Sequence, residues 1–315
     1  MRRRLAFLLK AVVSVGLVAA LVVMLDPAAL WQRARGLDPL WGLAALGLGF
    51  GQVAICALRW GAVLHALGLH LPARGVLALT HVGMAFSQAL PTTVGGDAVR
   101  MWLAHRKGLG PGPAVTSVAL ERLVTLLALV LLVALAQPVL LPALNDARGI
   151  VLVRLIAVAG VAGVALVCVL DRLPAAWRRF RAVQGLVGLA AGARRLFLHP
   201  GRAALVLGVS VLGFVNLSLL AWALGRGLAA GVSAADCLVL VPPVILVSNA
   251  PVSIAGWGVR EGAMVAALGM VGTPAPVALL LSLLYGAVTV LAALPGGLVW
   301  LAVRTEKVAE SGAAS

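Results

Sequence analysis

The sequence predicts an all-α polytopic membrane fold: six full transmembrane helices and two re-entrant broken helical hairpins in an inverted repeat. Three observations carry this expectation: the composition, the length of the apolar blocks, and a break motif that occurs twice. Of 315 residues, 62% are hydrophobic and only 11% charged, with a mean hydropathy of +1.09. So little polar surface cannot cover a water-soluble domain of this size. Apolar residues also run in blocks and do not alternate with polar ones, which argues against a transmembrane β-barrel. Helices are then the remaining way to satisfy every backbone group in lipid.

Six blocks read as spans: Leu5–Leu25, Leu40–Leu58, Ala114–Ala136, Ile150–Leu170, Ala203–Leu224 and Pro276–Val303. Each is near or above the ~20 residues that cross a bilayer as a helix. The first follows Arg2-Arg3-Arg4. Its apolar core exceeds the ~7–15 residues of a signal peptide and no small-residue cleavage site follows, so it is expected to remain as a span.

Two further apolar segments are interrupted. One runs from Gly75 to Leu90, breaks at Pro91-Thr92-Thr93-Val94-Gly95-Gly96, and resumes through His105. The other runs from Ala234 to Ala250, breaks at Pro251-Val252-Ser253-Ile254-Ala255-Gly256, and resumes to about Gly269. At a constant offset of 160 residues, Pro91 matches Pro251, Thr93 matches Ser253, Gly96 matches Gly256 and Arg100 matches Arg260. The shared pattern, Pro-x-[Ser/Thr]-[Val/Ile]-small-Gly-x-x-Val-Arg, indicates an internal duplication.

Charge placement sets the topology. If both broken segments crossed the bilayer, the loop Asp171–Arg202, with its seven arginines, would face outside and violate the positive-inside rule. As re-entrant hairpins they leave both termini and most basic residues inside, with only Arg33, Arg35, Arg148 and Arg226 outside. Three full spans then separate the hairpins, so the repeats are inverted, as in many transporters. The expected organisation is one transmembrane domain over 1–303. Repeat 1 covers about 40–136, repeat 2 about 203–303, with a connecting span and basic loop at 150–202 and a cytoplasmic tail at 304–315. The arginine-rich Asp171–Arg202 stretch is either an interfacial helix on anionic lipid or an ordinary cytoplasmic loop.

The breaks carry the candidate chemistry. Half-helices starting after Gly96 and Gly256 each aim free N–H groups and partial positive charge at a hairpin tip, which favours an anion. Gly95, Gly96 and Gly256 let the backbone approach a ligand, Thr93 and Ser253 add hydroxyl donors, and Arg100 and Arg260 follow about one turn later. Two arginines and two helix N-termini converging near the bilayer midplane would suit a phosphate. Asp97, Glu121, Arg122 and Glu261 are expected to pair with these charges or to carry a coupled proton, because unpaired charges at such depth are costly. Arg59, directly after an apolar run, reads as an interfacial anchor.

Other classes are disfavoured. The net charge of +15 sits in short loops, with 5% aromatic residues and no soluble basic domain, so nucleic acid is not an expected partner. Cys56, Cys168 and Cys237 and the five histidines are dispersed, and no metal site or cofactor is expected. No phosphate-cradling Gly-x-x-x-x-Gly-Lys loop or nucleophile elbow occurs, so the chain is not read as an enzyme.

Three stretches taken in order look like family hallmarks. They are Leu90-Pro91-x-x-x-Gly95-Gly96-Asp97-x-x-Arg100, Glu121-Arg122-Leu123, and Ala250-Pro251-x-Ser253-x-x-Gly256-x-Gly258-x-Arg260-Glu261. Over nearly the whole chain the sequence resembles the lysylphosphatidylglycerol synthase transmembrane region, the flippase-like family. The resemblance implies a membrane domain like the flippase half of the bacterial multiple peptide resistance factor, which moves aminoacylated phosphatidylglycerol between leaflets. It also implies a bacterial cytoplasmic membrane and, through relatives, links to lipid-biosynthetic enzymes. Only Arg304–Ser315 follows the last span, so the synthase activity in the family's name is not expected here. The resulting expectation is a translocase that binds an anionic or zwitterionic lipid headgroup between the hairpin tips. A small-solute or ion transporter and a non-transporting accessory subunit of a lipid pathway are the alternatives.

Overall fold

The computed structural model describes residues 27–89, 95–144, 181–249 and 256–301, together with a few isolated positions. The expected spans Leu5–Leu25 and Ile150–Leu170 lie outside these apart from isolated positions, as do the two hairpin tips. All regular structure among the described residues is helical. Four helices are long and apolar enough to cross a bilayer: Pro39–Ala66, Pro111–Ala136, Pro200–Gly227 and Ala275–Leu301. Ala234–Ser248 is a shorter apolar helix. Their outward faces stay apolar, with Leu135 at 76% and Leu298 at 70% exposure. Such surface is stable against lipid tails and not against water.

The frame is a pair of helices, α2 (Pro39–Ala66) and α7 (Pro200–Gly227), each of 28 residues. Both begin on proline, which needs no donor in the first turn. Asp38 caps α2 by accepting from the Leu40 amide. A short helix α1 (Pro27–Arg35) precedes α2. The pair runs antiparallel along its full length. Near the start of α2, Asp38 N–H donates to the Gly227 carbonyl at 3.1 Å, and Trp41 meets Trp222 edge to face. Midway, Asn216 donates to the Leu48 carbonyl and to Gln52 at 2.9 Å. At the far end, Arg202 reaches the Ala66 carbonyl at 3.4 Å.

A helical hairpin opens from each end of this pair. The first consists of α3 (Ala73–Ala89) and α4 (Gly95–Arg106). Its arms lie antiparallel, with Gly83 and Ser87 against Gly96, and Gly83 against Arg100. At Gly96 a Cβ would overlap the Gly83 carbonyl and the Ser87 hydroxyl, so only glycine lets the arms close this tightly. The second consists of α8 (Ala234–Ser248) and α9 (Val259–Gly269). It follows the end of α7, which lies beside the start of α2, so the two hairpins open from opposite ends of the frame.

Each hairpin is followed by a long helix: α5 (Pro111–Leu144) after the first and α10 (Ala275–Ala293, resuming beyond Leu294) after the second. The bounds of α2 to α5 therefore recur in α7 to α10 at nearly the same offset of 160 residues that relates the two break motifs. Glycines set the close approaches, as where Gly49 of α2 meets Val288 and Ala292 of α10. Between the repeats, α6 (Arg181–Phe197) is an amphipathic helix. It buries Ala190, Ala193 and Leu196 against α2, α5 and α7 while Arg194 and Arg195 face outward.

One expected boundary needs correction. The span read as Leu40–Leu58 continues to Ala66, which takes Arg59 inside the helix. The charge was a poor stop signal because a carboxylate across the helix interface compensates it.

Candidate functional site

Five charged side chains from three helices meet beside the first hairpin. Arg59 on α2 donates through Nε to Glu121 Oε1 of α5 at 3.0 Å. Arg100 on α4 donates to the other oxygen of Glu121 and lies 3.3 Å from Asp97. Asp97 in turn accepts from Arg122 of α5 at 2.6 and 2.8 Å. Arg59, Asp97, Arg100 and Glu121 are all buried, whereas the Arg122 side chain remains 53% exposed. The Arg100 guanidinium also stacks 4.8 Å from the ring of buried Trp60.

These side chains line a cavity of about 190 Å³ together with Cys56, Thr80, Gly83, Met84, Ser87 and Gln88. Two buried polar atoms in its walls, Thr80 Oγ1 and Arg100 Nε, have no hydrogen-bond partner among the described residues. Unpaired buried donors are rare and each calls for an explanation. The cavity also adjoins the N-terminus of α4, where Gly95 and Gly96 are buried.

The second hairpin carries a smaller cluster. Gly256 and Gly258 take the left-handed backbone, φ +80° and +88°, which lets the chain turn into α9. Glu261 accepts from the Gly258 amide at 2.5 Å, capping the helix start. The same carboxylate receives Arg260 at 2.7 Å and Ser282 of α10 at 3.3 Å. Arg260 lies over the Trp257 ring at 4.6 Å and the Tyr285 ring at 5.7 Å. Gly286 leaves the room that Trp257 and the guanidinium occupy.

Of the residues singled out from sequence, Asp97, Arg100, Glu121 and Arg122 come together, with Gly95 and Gly96 at the start of their helix. Gly256, Arg260 and Glu261 gather in the second cluster. Thr93 and Ser253 lie outside the described residues. No described ion pair joins the two arginine clusters. Arg260 sits beside Gly286 of α10, and Val288 of that helix meets Gly49 of α2, ten residues before Arg59. At 1.5 Å per residue the two arginine levels are therefore roughly 15–20 Å apart along the bundle.

Arg59 is a correction and a residue the sequence reading missed: it is buried in the first cluster and is no interfacial anchor. A usable signal was present, since a charge within reach of an apolar span calls for a counter-charge, and Glu121 lies in a neighbouring span. Thr80 carried no signal in sequence.

Antiparallel apolar helices with lipid-facing surfaces, broken hairpins and buried ion pairs define a multi-pass helical membrane protein. The sequence profile of the lysylphosphatidylglycerol synthase TM region matches residues 7–297, and the chain belongs to that family. That profile describes a flippase-like transmembrane region and not a catalytic domain. A UPF0104 membrane protein of Methanothermobacter thermautotrophicus is 29% identical over 93 residues, which covers 29% of this chain and 28% of that protein.

Proposed function

We propose that this protein is a lipid translocase that moves a phosphate-containing lipid between leaflets. The α3–α4 and α8–α9 hairpins enter the bilayer from opposite faces and return to the face they came from. At 12 and 11 residues, α4 and α9 are too short to span the ~30 Å hydrocarbon core. With the spans at Leu5–Leu25 and Ile150–Leu170 the chain crosses six times and keeps both termini in the cytoplasm.

One observation carries the functional reading: an arginine-lined cavity, with donors unpartnered among the described residues, built on one of two oppositely opening hairpins. Hydrophobic packing alone does not call for it, and buried charge at this depth is retained mostly for function. Arg100, Arg122 and the α4 N-terminus hold the phosphate, and Asp97 and Glu121 balance charge. Arg260, with Glu261, is a station toward the opposite face that is closed by its own ion pair at rest and opens only during transport, and Thr93 and Ser253 at the tips complete the path. Gln52 and Asn216 supply polar groups between the two levels. Rocking of one repeat against the other would expose the stations in turn.

The test is reconstitution in vesicles containing fluorescently labelled phosphatidylglycerol, read by the fraction bleached by an external reductant. Wild-type protein should render nearly all the label accessible, and Arg100→Ala and Arg260→Ala should abolish this while remaining inserted. Normal flipping by both variants would overturn the assignment. No flipping by wild type, with stable co-purification of a lipid-modifying enzyme, would favour the accessory-subunit reading.

A further inference from the structure

The charged residues of the first cluster form one connected chain of alternating sign: Arg59, Glu121, Arg100, Asp97, Arg122. A chain that begins and ends on a cation carries one surplus positive charge. The surplus comes to the surface at Arg122, the only member with a largely exposed side chain. The Arg260–Glu261 pair has no such surplus. The four buried members of the first cluster balance, so the surplus is a half-exposed guanidinium at the cavity wall, placed to pair with an entering anion.

The walls of the cavity fit that counter-ion. The Thr80 hydroxyl and Arg100 Nε–H, which have no partner among the described residues, are hydrogen-bond donors, and the exposed guanidinium of Arg122 adds a planar fork. Such a donor set matches an oxyanion. The volume of about 190 Å³ far exceeds the ~10–15 Å³ that one water needs.

We infer that at rest this cavity binds one singly charged oxyanion of the phosphodiester class, with Thr80 as a direct donor and Arg59 setting the charge of the site. The inference rests on the translocase reading only in taking the phosphodiester to be a lipid headgroup; a soluble phosphodiester shares the chemistry. A phosphodiester leaves the site neutral, whereas a phosphomonoester dianion leaves it negative. Neutralising Arg59 removes the surplus although Arg59 itself pairs with Glu121 and not with the ligand.

The test measures binding to the detergent-purified full chain at pH 8, where a phosphomonoester is a dianion. Probes are dihexanoyl phosphatidylglycerol, dihexanoyl phosphatidic acid and glycerophosphoglycerol, read by calorimetry and by the change in Trp60 emission against a Trp60→Phe control. Wild type should bind the lipid diester about tenfold more tightly than the monoester, and Arg59→Gln should lose that preference by a similar factor. Arg59→Lys should restore it. Thr80→Val should weaken the diester about tenfold with no loss of melting temperature, a combination a purely structural threonine would not produce. Equal affinity for diester and monoester in wild type and Arg59→Gln would overturn the inference. Binding of glycerophosphoglycerol without the lipid would overturn the lipid source. Because transport is not read, a protein that binds selectively yet fails to flip lipid would refute the translocase reading and leave the site standing.

Discussion

The two hairpins share a motif, a helix order and an offset of 160 residues, yet their charged centres differ. In the first, two carboxylates are shared among three arginines from three helices, and a cavity remains whose donors lack partners among the described residues. In the second, one arginine is saturated by Glu261, Trp257 and Tyr285, and the carboxylate also caps its own helix. The helices that follow show the divergence residue by residue. Arg122 of α5 and Ser282 of α10 occupy the same register, and each bonds the acid of its hairpin. The shared helix order thus carries an open, positive site in one half and a closed, neutral ion pair in the other.

That contrast can be broken by substitution. The largest effect should come from Glu121→Gln, which leaves Arg59 and Arg100 buried without their shared counter-charge. A loss on the order of 3–5 kcal/mol is expected in thermal or SDS-induced unfolding. Gly96→Ala should cost about 1–3 kcal/mol by the same readout, because the arms of the first hairpin cannot separate without disturbing Arg100. Glu261→Gln removes a charged cap and the counter-charge of buried Arg260, whose aromatic contacts offset part of the loss, so about 2 kcal/mol is expected. Thr80→Val should be neutral or stabilising by about 1 kcal/mol, since it deletes a buried hydroxyl without a partner. If Glu261→Gln proved more damaging than Glu121→Gln, the second cluster, not the first, would be the electrostatic centre.

Much of this architecture was legible before any coordinates. Long apolar blocks announced the four long helices of the described residues, and the paired Pro-hydroxyl-Gly breaks located both helical hairpins because the two motifs keep one spacing. The association of Asp97, Arg100, Glu121 and Arg122 followed from the cost of isolated charge in lipid. Arg59 was misjudged because a span was ended at its first charge, a rule that fails when a neighbouring helix supplies the counter-charge. The separation of Arg100 from Arg260 was illegible for another reason. Sequence symmetry places equivalent residues on equivalent helices but does not say how far along the bundle each hairpin reaches. Thr80 was invisible because an unpartnered hydroxyl is a property of its surroundings and not of its residue type.

The central claim is that the first arginine cluster, and not the second, holds the phosphate of a membrane lipid. The most direct measurement is native mass spectrometry of lipid retained after gentle purification of wild type, Arg100→Ala and Arg260→Ala. A phosphate-containing lipid enriched on wild type should be lost from Arg100→Ala and kept by Arg260→Ala. Retention by Arg100→Ala, or loss from Arg260→Ala alone, would contradict the account.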